Sequence, residues 1–172
     1  MAILPIITAP DARLKQKSRP VEQVDDRVRA LMDDMLETMY AAPGIGLAAV
    51  QVGVHERIVV MDLAREGEPP EPRRFVNPVV TWRGPDLASF EEGCLSVPEY
   101  YAEVQRAAAC RVDYLDETGT PRTLEAEGLL AICIQHEIDH LDGVLFVDHL
   151  SMVKRSMILR KLGKARRTAV PA

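Results

Sequence analysis

Gln135-His136-Glu137-Ile138-Asp139-His140 decides how this chain is read. Four residues of α-helix advance about 6 Å and turn roughly 40° beyond a full circle, so His136 and His140 leave the same face. Both imidazoles can then reach one metal ion. Glu137 points about 100° away around the helix, within reach of a water on that ion without being a ligand. This is the His-Glu-x-x-His arrangement of metal hydrolases. The apolar run 129–134 just before it predicts a buried central helix over 128–142.

Outward from that helix, residues 57–63, 75–82, 109–116 and 120–127 read as strands and 67–72 as a loop. Residues 25–42 predict an amphipathic helix whose stripe is Val28, Leu31, Met32, Met35, Leu36, Met39 and Tyr40. Pro43 and Gly44 end it. Ser151 is placed to cap a last helix through Met157, Ile158 and Leu162. Strands gathered between helices without βαβ alternation imply an α+β fold. In it, mixed or antiparallel sheets pack around the metal-binding helix.

The 172 residues are 47% hydrophobic and 27% charged, which suits a single domain over 1–172. No run is long enough to span a bilayer. Residues 1–10 lack a basic leader and are interrupted by Pro5, unlike a signal peptide. Three cysteines argue against a disulfide framework and for a reducing, cytoplasmic setting. Residues 151–172 carry seven of the 21 lysines and arginines and no acid, hence +7. The remainder holds 14 basic against 26 acidic residues, hence −12. A basic end on an acidic body points either to a polyanion partner or to a solvated helix face.

A catalytic metal usually takes three protein ligands, and two histidines leave one to find. The chain follows the metzincin spacing after His140 until Phe146, which stands where a ligand is required. Asp148 and His149 read as polar residues at a turn. Cys133 shares the face of His136 and His140, but three ligands on successive turns would span about 10 Å. It and Cys110 fit the core better. Cys94, in the polar stretch Glu91-Glu92-Gly93-Cys94-Leu95-Ser96, is the better candidate. Gly44-Ile45-Gly46-Leu47-Ala48-Ala49 matches a Gly-x-Gly-x-x-Ala dinucleotide fingerprint, yet a helix and Pro43 precede it where a strand is needed. No dinucleotide cofactor is expected. The alternative is a tight loop that lets a substrate backbone approach, with the Gln51 amide able to donate to an oxyanion.

Three segments in order resemble the signature of the peptide deformylase family: 44–51, Glu92-Gly93-Cys94-Leu95-Ser96, and 135–140. The similarity runs from the Pro10-Asp11 region into the final helix. It implies removal of the N-formyl group from the initiator methionine of new polypeptides. It also implies Cys94, His136 and His140 as metal ligands and Glu137 as general acid and base. Gln51 and the backbone N–H of Leu95 would steady the oxyanion, and Ile45, Gly46 and Gly93 would meet the substrate backbone. One divalent ion per chain follows, Fe(II) by resemblance, while the ligand types also suit zinc, nickel or cobalt. Many bacterial members carry an arginine where this chain has Tyr101. The implied partners are N-formyl-Met nascent peptides and, through the basic residues 154–167, the ribosome; no membrane partner is expected. Two rival readings use the same residues: a zinc endopeptidase, and a metal-stabilised protein that docks on RNA.

Overall fold

β2 (Ile58–Met61) explains how the layers are built. All four of its residues are buried, because successive side chains point to opposite faces and both faces are covered. Ile58 and Val60 meet Val28, Met32, Met35 and Met39 of α1 (Asp26–Ala41). Val59 and Met61 meet Ala131, Ile134, Ile138 and Leu141 of α2 (Gly128–Leu141). A sheet thus lies between two helices. Each fully buried Met or Leu in these layers contributes about 1.5–3 kcal/mol.

The structure, a computed structural model, describes residues 2–169. The sheet has the order β1-β2-β3-β6-β7, with β1 at Gly46–Ala48, β3 at Arg73–Arg83, β6 at Ala109–Leu115 and β7 at Pro121–Glu127. Every pairing in it is antiparallel. A separate hairpin joins β4 (Leu87–Cys94) to β5 (Val97–Ala107). This is the α+β architecture the sequence predicts. Asp25 caps α1 by accepting the Val28 N–H at 3.1 Å. The predicted stripe of α1 is buried except at its edges, where Leu31 is half-buried and Tyr40 is 45% exposed. The Tyr40 hydroxyl donates to buried Asp62 at 2.6 Å, which holds the end of α1 to the chain after β2.

Two elements depart from the sequence reading. Residues 44–49 do not stay a loop, since Gly46–Ala48 pairs with β2 as an edge strand. The hairpin was not predicted from 87–107, where exposed polar residues replace the alternation that marks a half-buried strand. Its few inward residues, Val97 and Val104, join Leu145, Phe146, Val147, Ile158 and Leu162 in a third cluster. That cluster seats α3 (Met152–Ala169), near whose start Ser151 Oγ accepts the Lys154 N–H at 3.3 Å. Asp148 accepts from Arg155 at 2.7 Å and from Lys15, fixing the turn before α3. Residues 170–172 of the predicted basic tail, and the side chains of Arg166 and Arg167, lie outside the described residues. Among the described residues no helix is long and apolar enough to cross a membrane.

Candidate metal centre

α2 carries His136 and His140 side by side, and their Nε2 atoms stand 3.3 Å apart. β4 ends on Cys94, whose Sγ lies 3.3 Å from His140 Nε2. The three ligand atoms all fall within 4.8 Å of one another. A tetrahedral ion with nitrogens at 2.0–2.1 Å and sulfur at 2.3 Å has edges of about 3.4 and 3.6 Å. The two separations of 3.3 Å lie close to those edges, and a thiol with two imidazoles is a donor set for a divalent transition metal. The residues fit the group.

The other candidates for third ligand are occupied otherwise. Asp148 is bound to Lys15 and Arg155, and His149 Nε2 lies 2.9 Å from Asp139. Burial, reinforced by the charges of Glu137 and Glu92, pushes the Cys133 thiol up to about 12, so it stays protonated. Burial also raises Cys110, which packs in the core between sheet and α2.

What aims the ligands went unseen in the sequence. The Nδ1–H of His136 donates to Glu92 Oε1 at 2.9 Å, which leaves Nε2 free to ligate. Arg106 grips Glu92 through two bonds, of 2.7 and 3.0 Å, and donates to Asp139 at 2.8 Å. Both Glu92 and Arg106 side chains are only 5% exposed. Burial would lift the Glu92 carboxyl, but the hydrogen bonds from His136 and Arg106 outweigh it and hold its pKa low. One buried cation therefore ties β4 and α2 together around the site. Glu92 sits in a stretch read for Gly93, Cys94 and Leu95 but not for its own carboxylate; Arg106, a lone cation next to the apolar stretch 107–110, was the available signal. Exchanging Glu92 for glutamine is expected to weaken metal binding about 10- to 100-fold, to be read by competition with a chromophoric chelator.

Glu137 is buried beside this cluster, and among the described residues its Oε1 has no hydrogen-bond partner. Burial pushes its pKa up to about 7, against the positive charges of His136 and Arg106. A cation between the ligands opposes that rise. Gly46 is glycine for a local reason, since a Cβ there would lie 2.4 Å from Glu137 Oε2. Gln51 is buried, its Oε1 accepting the Ala48 N–H at 2.9 Å. Its Nε2 donates to Ser96 Oγ at 3.0 Å and approaches Cys94 Sγ at 3.6 Å. Residues 44–52 form a strand and a 3₁₀ turn (Ala49–Val52), not the strand–loop–helix of a dinucleotide site.

A cavity of about 800 Å³ opens onto the cluster. Ile45, Gly46, Gln51, Gly93, Cys94, Leu95, His136 and Glu137 line it, whereas His140 lies beneath. Every residue singled out as a ligand, catalyst or substrate contact is thus on this wall or directly behind it.

Known proteins share both the sequence and the shape. Residues 3–156 match the family described as polypeptide deformylase. A peptide deformylase of Phenylobacterium zucineum is 60% identical over 98% of this chain and 100% of its own length. That of Agrobacterium fabrum is 55% identical over 99% and 100%. The crystal structure of peptide deformylase from Ehrlichia chaffeensis superposes with a TM-score of 0.92 at 44% identity, over 97% of this chain and 98% of that one. The same protein in complex with actinonin gives 0.92 at 45% identity, over 97% and 99%. With sequence and architecture agreeing along almost its whole length, this chain belongs to the peptide deformylase family.

Proposed function

We propose that this protein hydrolyses the N-formyl group from the initiator methionine of newly made polypeptides, releasing formate and a free amine. The observation that carries the reading is the Cys94–His136–His140 trio beside a buried, unpartnered Glu137 at the base of an open cavity. A divalent cation held by those three residues would polarise the formyl carbonyl and acidify a water.

The chain's own groups account for the remaining steps. Glu137 takes the proton of the attacking water and passes it to the leaving amine nitrogen. Gln51 Nε2 and the Leu95 N–H donate to the oxygen that gains charge as the formyl carbon becomes tetrahedral. The tether of its Oε1 to the Ala48 N–H fixes the amide of Gln51 with Nε2 facing the Cys94 side of the site. The backbones of Ile45 and Gly46 on one wall and Gly93 on the other hold the peptide extended between two strand edges. Exchanging Gln51 for alanine is expected to lower kcat by about 10²- to 10³-fold, measured as formate released. Formyl-Met-Ala-Ser should yield formate, while a peptide blocked at both ends should remain uncut. Cleavage of the blocked peptide without formate release would turn the reading towards an endopeptidase.

Thiolate and imidazole ligands suit iron, zinc, nickel and cobalt alike, and we assign Fe(II) to the site on the family resemblance. Protein loaded with iron without oxygen should then lose activity in air as iron or Cys94 oxidises, while zinc-loaded protein keeps what activity it has. Equal air stability of the two forms would count against iron. The basic segment 154–167 serves, in this reading, to bring the enzyme to the ribosome, and the enzyme works in the cytoplasm. Ribosome co-sedimentation that survives removal of that segment would end the docking idea.

A further inference from the structure

The Gln51 side chain is held at both ends of its amide. The Ala48 N–H can only donate, so the atom it meets at 2.9 Å is the amide oxygen, and this settles which way the amide is turned. Nε2 then lies on the opposite side, where it donates to Ser96 Oγ at 3.0 Å. An amide nitrogen carries two hydrogens. The second is left on the Cys94 side, with Sγ 3.6 Å away. Ser96 is buried, and its own N–H donates to Cys94 Sγ at 3.4 Å.

Gln51 and Ser96 stand 45 residues apart in sequence, and a third segment joins them a second time. The Ile7 N–H donates to the Gln51 carbonyl at 2.7 Å, and the Ala9 N–H donates to the Ser96 carbonyl at 2.8 Å. Side chains on one side and residues 7–9 on the other thus close a ring through both positions. The segment is itself tied down. The Leu4 N–H donates to Thr38 Oγ1 of α1 at 2.8 Å, and Ala9 is buried in the cluster that holds Val97, Val104 and Phe146. Neither Ser96 nor residues 7–9 line the cavity, so they meet no substrate and act through what they hold.

Resting on the deformylase reading, we propose that Ser96 and the strap 7–9 are positioning elements for the Gln51 amide, holding its free hydrogen where charge develops on the formyl oxygen. The Ile7 bond fixes where the side chain starts, and Ala48 and Ser96 fix where it ends. A donor aimed at the tetrahedral oxygen acts in the transition state, so a loss of aim falls on kcat rather than on KM. The scale for each arm of the clamp is that of one neutral hydrogen bond, about 2- to 10-fold.

The experiment is a double-mutant cycle on the metal-loaded full chain, reading kcat and KM for formate release from formyl-Met-Ala-Ser together with bound metal. Ser96→Ala removes the hydroxyl acceptor, and Ile7→Pro removes the N–H that meets the Gln51 carbonyl. Each should lower kcat about 2- to 10-fold and leave KM and metal content within about 2-fold. Made in Gln51→Ala protein, the same exchanges should change kcat by less than about 2-fold, because the group they aim is gone. Ile7→Val keeps the N–H and should match the wild type. Should Ile7→Pro melt early, an ester at that bond, introduced with the α-hydroxy analogue of isoleucine, removes the same hydrogen and decides in its place. An unchanged kcat in Ser96→Ala or in the position-7 variant overturns the proposal. So do losses that multiply undiminished on Gln51→Ala, or that fall only on KM or on metal content. A silent Gln51→Ala would remove the oxyanion role of Gln51 and this proposal with it. Absence of formate from the wild-type protein would instead defeat the deformylase reading itself.

Discussion

Alanine at position 137 is expected to lower kcat by at least 10²- to 10⁴-fold, the range lost when a general acid–base is removed. The Glu137 carboxyl is the buried acid that faces the cavity beside the ligand cluster without a partner of its own. Burial pushes its pKa up, to about 7 before any cation is bound; a cation at the three ligands opposes that rise, and a general acid–base must both accept and return a proton. A second measurement separates chemistry from architecture. Because Glu137 is not among the three ligand atoms, Glu137→Ala protein should still bind one equivalent of metal. Substantial turnover by that variant, at unchanged metal content, would remove Glu137 from its proposed role.

Loss of the sulfur at position 94 should be felt first in metal content. Groups that merely orient a ligand cost about 10- to 100-fold in affinity, so deleting a ligand is expected to cost on the order of 10³-fold or more. Cys94→Ala protein should emerge from gel filtration without stoichiometric metal and release no measurable formate. The histidines that remain are still aimed by Glu92 and by α2, so the folded chain should survive the change. Thermal melting of wild-type and variant proteins, both stripped by chelator, tests that point. Tight equimolar metal in Cys94→Ala would transfer the third-ligand role elsewhere, with Cys133 the first residue to re-examine.

Local chemistry that repeats at fixed spacing was readable before any coordinates. His136, Glu137 and His140 follow from helical periodicity, and the stripe of α1 follows from the same period. The two histidines and Glu137 could be placed on one helix, but the choice among cysteines could not be made from spacing. That choice depends on a strand ending 42 residues before the first histidine (94 to 136), and it came from the family resemblance. The hairpin was hidden because its stability rests on a few inward residues and on ion pairs rather than on alternating apolar positions. Arg106 was hidden for the same reason. Its partners Glu92 and Asp139 lie 14 and 33 residues away in sequence, and a long-range ion-pair node leaves no periodic trace.

The Arg106 node bears on the order in which the working protein is assembled. It already joins the hairpin to α2 by hydrogen bonds of 2.7 to 3.0 Å, so the ion need not draw the two parts together. In small metal-dependent domains the chain collapses only when its ion arrives. Here the polypeptide can finish folding first and wait, and a shortage of the metal would leave a reservoir of intact, reactivatable protein rather than a pool of unfolded chains.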